Sequence, residues 1–162
     1  MRARWLPCLA AALALPAAAA AQSTPPAQTQ AQALFEDLIV KDARTTAGVR
    51  QLLQSDAGFV GAQPTFADLT GDGRMDAVVT VRMPGAAGTV AVFVFSSDGT
   101  RSNRLRAVLR SQALYRATAR IAGAALTISQ PEWASGDDLC CPADRTDRQY
   151  AWDARTHTLT RR

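Results

Sequence analysis

The residues best placed for chemistry lie in one short stretch, Asp68-Leu69-Thr70-Gly71-Asp72-Gly73-Arg74-Met75-Asp76. Side-chain oxygens stand at alternate positions 68, 70 and 72 and return at 76. Calcium takes six to eight hard oxygen ligands at about 2.3–2.6 Å, and a loop wrapping one ion turns alternate residues inward. On that pattern Asp68, Thr70 and Asp72 are ligands, and Gly73 sits where the chain must turn sharply. Arg74 offers its main-chain carbonyl with its side chain pointing away, and Asp76 closes the site directly or through water. The competing reading is a polar turn in which Asp and Gly supply only turn geometry. Three carboxylates within nine residues repel one another without a cation, which favours calcium.

The loop is not an EF-hand. That motif requires a bidentate Glu at its twelfth position, where this chain has Val79, and it leads into a helix. Here Ala77-Val78-Val79-Thr80-Val81 follows, a β-branched run with strand character. The loop resembles the D-x-D-x-D-G-x-x-D loops of FG-GAP and VCBS-type repeat proteins, which also run into a strand. It departs from them at Thr70, a neutral ligand where Asp or Asn is usual. Repeat families carry several such loops, whereas this chain has one. Ser97-Asp98-Gly99-Thr100 shares only the Asp-Gly pair and suits a hairpin turn.

The second chemical stretch is Pro131 to Asp147, PEWASGDDLCCPADRTD, the longest irregular segment. It holds Trp133, the acids Glu132, Asp137 and Asp138, and the adjacent pair Cys140-Cys141. Adjacent α-carbons are about 3.8 Å apart across a trans peptide, below the usual 4.4–6.8 Å of a disulfide. A bridge between Cys140 and Cys141 therefore makes a strained ring. It is nonetheless the favoured expectation for an oxidising compartment. Free thiols, an intermolecular bridge and soft-metal binding are the alternatives. Two thiolates alone fall short of the four ligands of structural zinc.

Catalytic patterns are weak. His157 is the single histidine and lies in a polar hairpin between Thr156 and Thr158. Neither a Gly-x-Ser-x-Gly elbow nor a His-Glu-x-x-His pair occurs. Carboxylates at 132, 137 and 138 could flank a sugar in a small hydrolase; clustered acids in a loop more often form a solvated edge. Trp133 suits a half-buried anchor better than a stacking platform.

These segments must be positioned by the rest of the chain. Met1-Arg2-Ala3-Arg4, an apolar run from Leu6 to Leu15, Pro16 and then Ala17–Ala21 have the layout of a secretory signal over residues 1–21. It is too short and too weakly apolar to span a membrane. Removing 21 of the 162 residues leaves 141, one domain's worth. The formal charge of +4 includes Arg2 and Arg4; without them 16 basic residues face 14 acidic ones. The remaining arginines alternate singly with apolar residues and have no aromatic platform, which argues against nucleic-acid binding. Residues 22–30 (QSTPPAQTQ) are rich in Pro, Gln and Thr and suit a flexible linker, and 31–162 a single domain.

Within that domain Leu34, Phe35, Leu38 and Ile39 mark one helix face, and Val49, Leu52 and Leu53 a second short helix that Thr45-Thr46 could cap. Strands are expected at Met75–Met83, Thr89–Ser96, Arg104–Ser111, Leu114–Ile121, Ala124–Ser129, Arg148–Asp153 and His157–Thr160. Turn signals separate most of them, favouring an antiparallel meander. Thr89–Phe95 is apolar at nearly every position and is the expected central strand. The fold class is therefore α+β, with an N-terminal helix or helix pair packed on about six or seven antiparallel strands.

A longer resemblance covers Ala67 through Trp152. ADLTGDGRMDAVVTV, AVFVFSSDG, RSQALYRATARI, GDDLCCPA and Tyr150-Ala151-Trp152 are similar to the bacterial LppP/LprE lipoprotein family. The resemblance implies an exported envelope protein without an established reaction. No lipid-attachment cysteine follows the signal here; Cys8 lies inside it. The expectation is thus a periplasmic or secreted, non-enzymatic protein with no transmembrane segment in its mature form. It would bind an unknown protein or envelope component and carry a structural calcium loop. The alternatives are the small hydrolase using the 131–147 acids and a proteinaceous inhibitor presenting that loop.

Overall fold

The structure, a computed structural model, describes residues 28–97, 104–138 and 140–162. The expected signal segment, most of the linker and the Asp98-Gly99 turn lie outside the described residues.

Helix α1 spans Gln30–Lys41 and starts where Thr29 closes a capping box with Gln32. Thr29 Oγ1 accepts the Gln32 N–H at 3.2 Å, and Gln32 Oε1 accepts the Thr29 N–H at 2.9 Å. Helix α2, Ala47–Gln54, is capped by Thr46. Arg50 fixes the turn between them by donating to the carbonyls of Val40, Asp42 and Thr45 at 3.0–3.2 Å.

Two antiparallel sheets follow. The first contains β1 (Phe59–Val60), β2 (Thr65–Ala67), β3 (Asp76–Met83), β4 (Gly88–Ser97) and β5 (Leu105–Ser111). Its order is β1-β3-β4-β5, with β2 also paired to β3. The second is β6 (Thr118–Ala122), β7 (Ala125–Glu132), β8 (Asp144–Asp153) and β9 (Thr158–Arg161), paired in sequence order.

Period-two alternation explains the layering. Val79, Val81, Ala91, Phe93 and Phe95 face Phe35, Ile39, Val49 and Leu53 of the helices. Val78, Val92 and Val94 face Leu126, Ile128 and Leu159 of the second sheet. The first sheet is thus buried on both faces, between a helical layer and a second sheet. That is why β4 is apolar almost throughout. The α+β class and the N-terminal helix pair agree with expectation. The β portion divides into two sheets of nine strands in all among the described residues, where one meander of six or seven was expected.

Two departures have local causes. The short strands β1 and β2 carry too few residues to show an alternation. The expected strand Leu114–Ile121 shrinks to Thr118–Ala122 because Ala113 and Arg116 adopt left-handed backbone, with φ of 58° and 46°. Leu114 and Ala117 are still buried, and residues 114, 116 and 117 donate backbone hydrogen bonds to the carbonyls of Val90, Ala87 and Thr89. The apolar pattern that looked like strand belongs to the connection that carries the chain from one sheet to the other.

Candidate functional site

The Asp68–Asp76 loop leaves β2 and enters β3, and Leu69 anchors it. Leu69 is fully buried in the core between the sheets. Immediately beside it, Asp76 is also fully buried at the first residue of β3. Asp76 Oδ2 accepts the N–H groups of Leu69 at 2.8 Å and Thr70 at 3.0 Å. The two ends of the loop are therefore joined through one carboxylate.

Asp68 organises the other half. Its Oδ1 accepts from Gly71 N at 2.7 Å and Asp72 N at 3.2 Å, and its Oδ2 accepts from Gly73 N at 3.0 Å. Gly71 and Gly73 have φ of 74° and 79°, conformations that side chains resist. This is the reason both glycines are there: the loop must curl tightly enough to turn three successive amides onto one carboxylate. Asp72 Oδ1 accepts from Arg74 N at 2.9 Å.

The expected ligands thus share one loop, but their carboxylates are turned to different backbone groups. Among the described residues no three Asp, Glu, His or Cys side chains converge on one point. Arg74 also departs from expectation: its guanidinium lies 3.7 Å from Asp72 Oδ2 rather than away from the loop. Two loop oxygens, Asp76 Oδ1 and Thr70 Oγ1, are buried and have no hydrogen-bond partner. Buried polar atoms are rarely left so. They are the donor atoms with spare capacity that a hard cation would take.

The loop also walls a cavity of about 290 Å³ between Leu69–Gly71, the Ala-rich β6–β7 hairpin, Trp152 and Arg162. Sequence reasoning gave Leu69, Trp152 and Arg162 no role at this place. A leucine inside an otherwise polar loop was the available signal for Leu69.

The 131–147 segment sits elsewhere and is less irregular than expected: residues 131–132 end β7 and residues 144–147 begin β8, paired to each other, so only the stretch between them is a connection. Glu132 is hydrogen-bonded to the Thr146 hydroxyl on the neighbouring strand. Asp137 Oδ2 accepts the Ala134 N–H at 2.8 Å, and Asp138 O accepts the Cys141 N–H at 3.1 Å. Two of the three acids are thereby used to shape their own segment. Trp133 is 36% exposed, with its ring edge-on to Tyr115 at a centroid distance of 5.3 Å. Cys140 and Cys141 are both exposed thiols. The neighbouring Cys140 thiol pushes the pKa of Cys141 up, against an opposing pull from Arg116. His157 is exposed in a turn, φ 52°, with its ring against Trp152.

Among the described residues no helix is long and apolar enough to cross a membrane. Comparison of the chain with protein-family models, curated proteins and solved structures finds no match.

Proposed function

We propose that this is an exported envelope protein that acts by binding rather than catalysis, and that its Asp68–Asp76 loop holds one structural calcium ion. The observation that carries the calcium reading is the buried, unpartnered pair Asp76 Oδ1 and Thr70 Oγ1. A buried carboxylate oxygen with no donor is costly, and a divalent cation offsets that cost. Asp68 and Asp72 keep lone pairs beyond those used by backbone amides. The ligand set is then the side chains of Asp68, Thr70, Asp72 and Asp76, with the Arg74 main-chain carbonyl.

A single neutral-assisted loop of this kind belongs with weak extracellular sites, about 10⁻⁴ to 10⁻³ M. At 1 mM calcium, binding to the folded state alone stabilises it by about 0.4–1.4 kcal/mol, a melting shift of a few degrees for a domain this size. Asp72→Ala should abolish that shift while leaving the fold intact, because Asp72 accepts only the exposed Arg74 amide. Equal melting temperatures of the wild type in chelator and in millimolar calcium, with no heat of binding, would overturn the calcium reading.

Export is supported by the Arg-flanked apolar N-terminus and by the resemblance of the 67–152 segment to envelope lipoproteins. N-terminal sequencing of protein recovered from the source cell should begin at or near Gln22; an intact Met1 would refute it. The interaction role is supported by the 131–147 segment, whose acids Glu132 and Asp137 are bound within it rather than left as a free pair.

A further inference from the structure

We propose that Cys140 and Cys141 form a thiol–disulfide exchange site whose closure releases the Arg116 clamp on the 131–147 segment. The inference is independent of the calcium loop.

The pair is built for exchange. Both thiols are exposed, so an incoming disulfide can reach them. They are neighbours in the chain, so a bridge between them closes within one peptide unit. Asp138 O and Cys141 N close the turn that presents them, and Pro142 follows directly. Among the described residues no third Cys, His, Asp or Glu joins them as a metal-binding group. The pair's own two-electron chemistry is what remains.

The step balances without a cofactor. The Cys140 thiolate attacks one sulfur of an incoming disulfide, such as oxidised glutathione; that S–S bond breaks and one thiol leaves. Attack by Cys141 first gives the same product. Cys141, on losing its proton, attacks the Cys140 sulfur and expels the second thiol. One S–S bond forms in the protein and one is lost from the oxidant, which takes up two electrons and two protons.

The consequence follows from the peptide between the two residues. Their α-carbons, about 3.8 Å apart, are closer than a relaxed disulfide allows, so ring closure must reorient the 140–141 peptide. The carbonyl of that peptide is the Cys140 oxygen that accepts a hydrogen bond from Arg116 Nη1 at 2.7 Å. Arg116 belongs to the connection between the two sheets. Its neighbour Tyr115 is the ring against which Trp133 rests. Oxidation therefore breaks the Arg116–Cys140 hydrogen bond and loosens the Trp133–Tyr115 contact beside it.

The test is titration of the protein with oxidised glutathione, followed by non-reducing peptide mapping and tryptophan fluorescence. The expected product is a monomer lighter by two hydrogens, with the bond mapped to residues 140–141 and reversed by dithiothreitol. Emission should shift to longer wavelength as Trp133 leaves Tyr115, and the shift should vanish in Trp133→Phe and in Cys140→Ser. Arg116→Asn retains a residue that tolerates left-handed backbone but is too short to reach Cys140. Its reduced form should already show the shifted emission. Thiols that stay free, a stable glutathione adduct, a covalent dimer, or ring closure with unchanged Trp133 emission would each overturn the proposal.

Discussion

Asp76 divides its two carboxylate oxygens between different environments. Oδ2 joins the loop ends by accepting two amides, one of them buried; Oδ1 is buried without a partner and is the atom that the proposed calcium ion would take. The two roles are separable by substitution. Asp76→Ala strands the Leu69 and Thr70 amides and should cost about 2–6 kcal/mol in urea unfolding even in chelator, since each unsatisfied group costs roughly 1–3 kcal/mol. Asp76→Asn keeps one carbonyl acceptor for those amides and should cost clearly less. Both should lose the calcium-dependent stabilisation. If Asp76→Ala matches the wild type in chelator, the carboxylate does not join the loop ends as described. At the same scale, Asp68 turns three amides inward around one carboxylate. This explains why a loop with two left-handed glycines can be ordered by side-chain acceptors alone.

At the scale of elements, what could be read from the sequence was whatever depends on local chemistry. Thr46 caps the second helix because its hydroxyl sits just ahead of an apolar-periodic run; Thr29, which lies in the expected linker, caps the first in the same way. The strand after the loop begins where β-branched residues take over, at Asp76 rather than Met75. The Gly123-Ala124 turn follows from Gly123, whose φ of 57° makes a two-residue hairpin possible. What the sequence hid depends on partners distant in the chain. Phe59–Val60 and Thr65–Ala67 become strands only because β3 offers an edge to pair with. Residues 114–121 divide between connection and strand because Arg116 bonds to Ala87, just before β4, and Ala117 to Thr89 at its start. In the candidate loop the residue types and the two turn glycines were legible. The engagement of each carboxylate with particular amides was not, nor was the folding of Arg74 back onto Asp72, since both depend on loop geometry. Helix attachment to the first sheet is a further case. The half-buried Arg110–Asp42 pair at 2.5 Å joins β5 to the end of α1 across 68 residues, and no local pattern announces it.

For the whole molecule, the decisive feature is that one sheet belongs to both hydrophobic cores. Phe93 and Phe95 point to the helices, while Val92 and Val94, alternating with them on the same strand, point to the second sheet. Neither outer layer can separate without exposing one face of β4, so the layers should unfold together. This can be tested from opposite sides. Phe93→Ala removes a fully buried ring from the helix–sheet core and should cost about 3–5 kcal/mol; Leu126→Ala removes a fully buried side chain from the sheet–sheet core and should cost about 2–5 kcal/mol. Helix signal in far-ultraviolet circular dichroism follows the first layer. Fluorescence of Trp152, which packs against the second core, follows the last in a Trp133→Phe background. In both variants the two signals should fall with one shared midpoint, lowered from that of the parent. If Leu126→Ala loses the Trp152 signal while the helices persist to a higher temperature, the second sheet is an independent unit. In that event the continuous burial of β4 does not couple the layers.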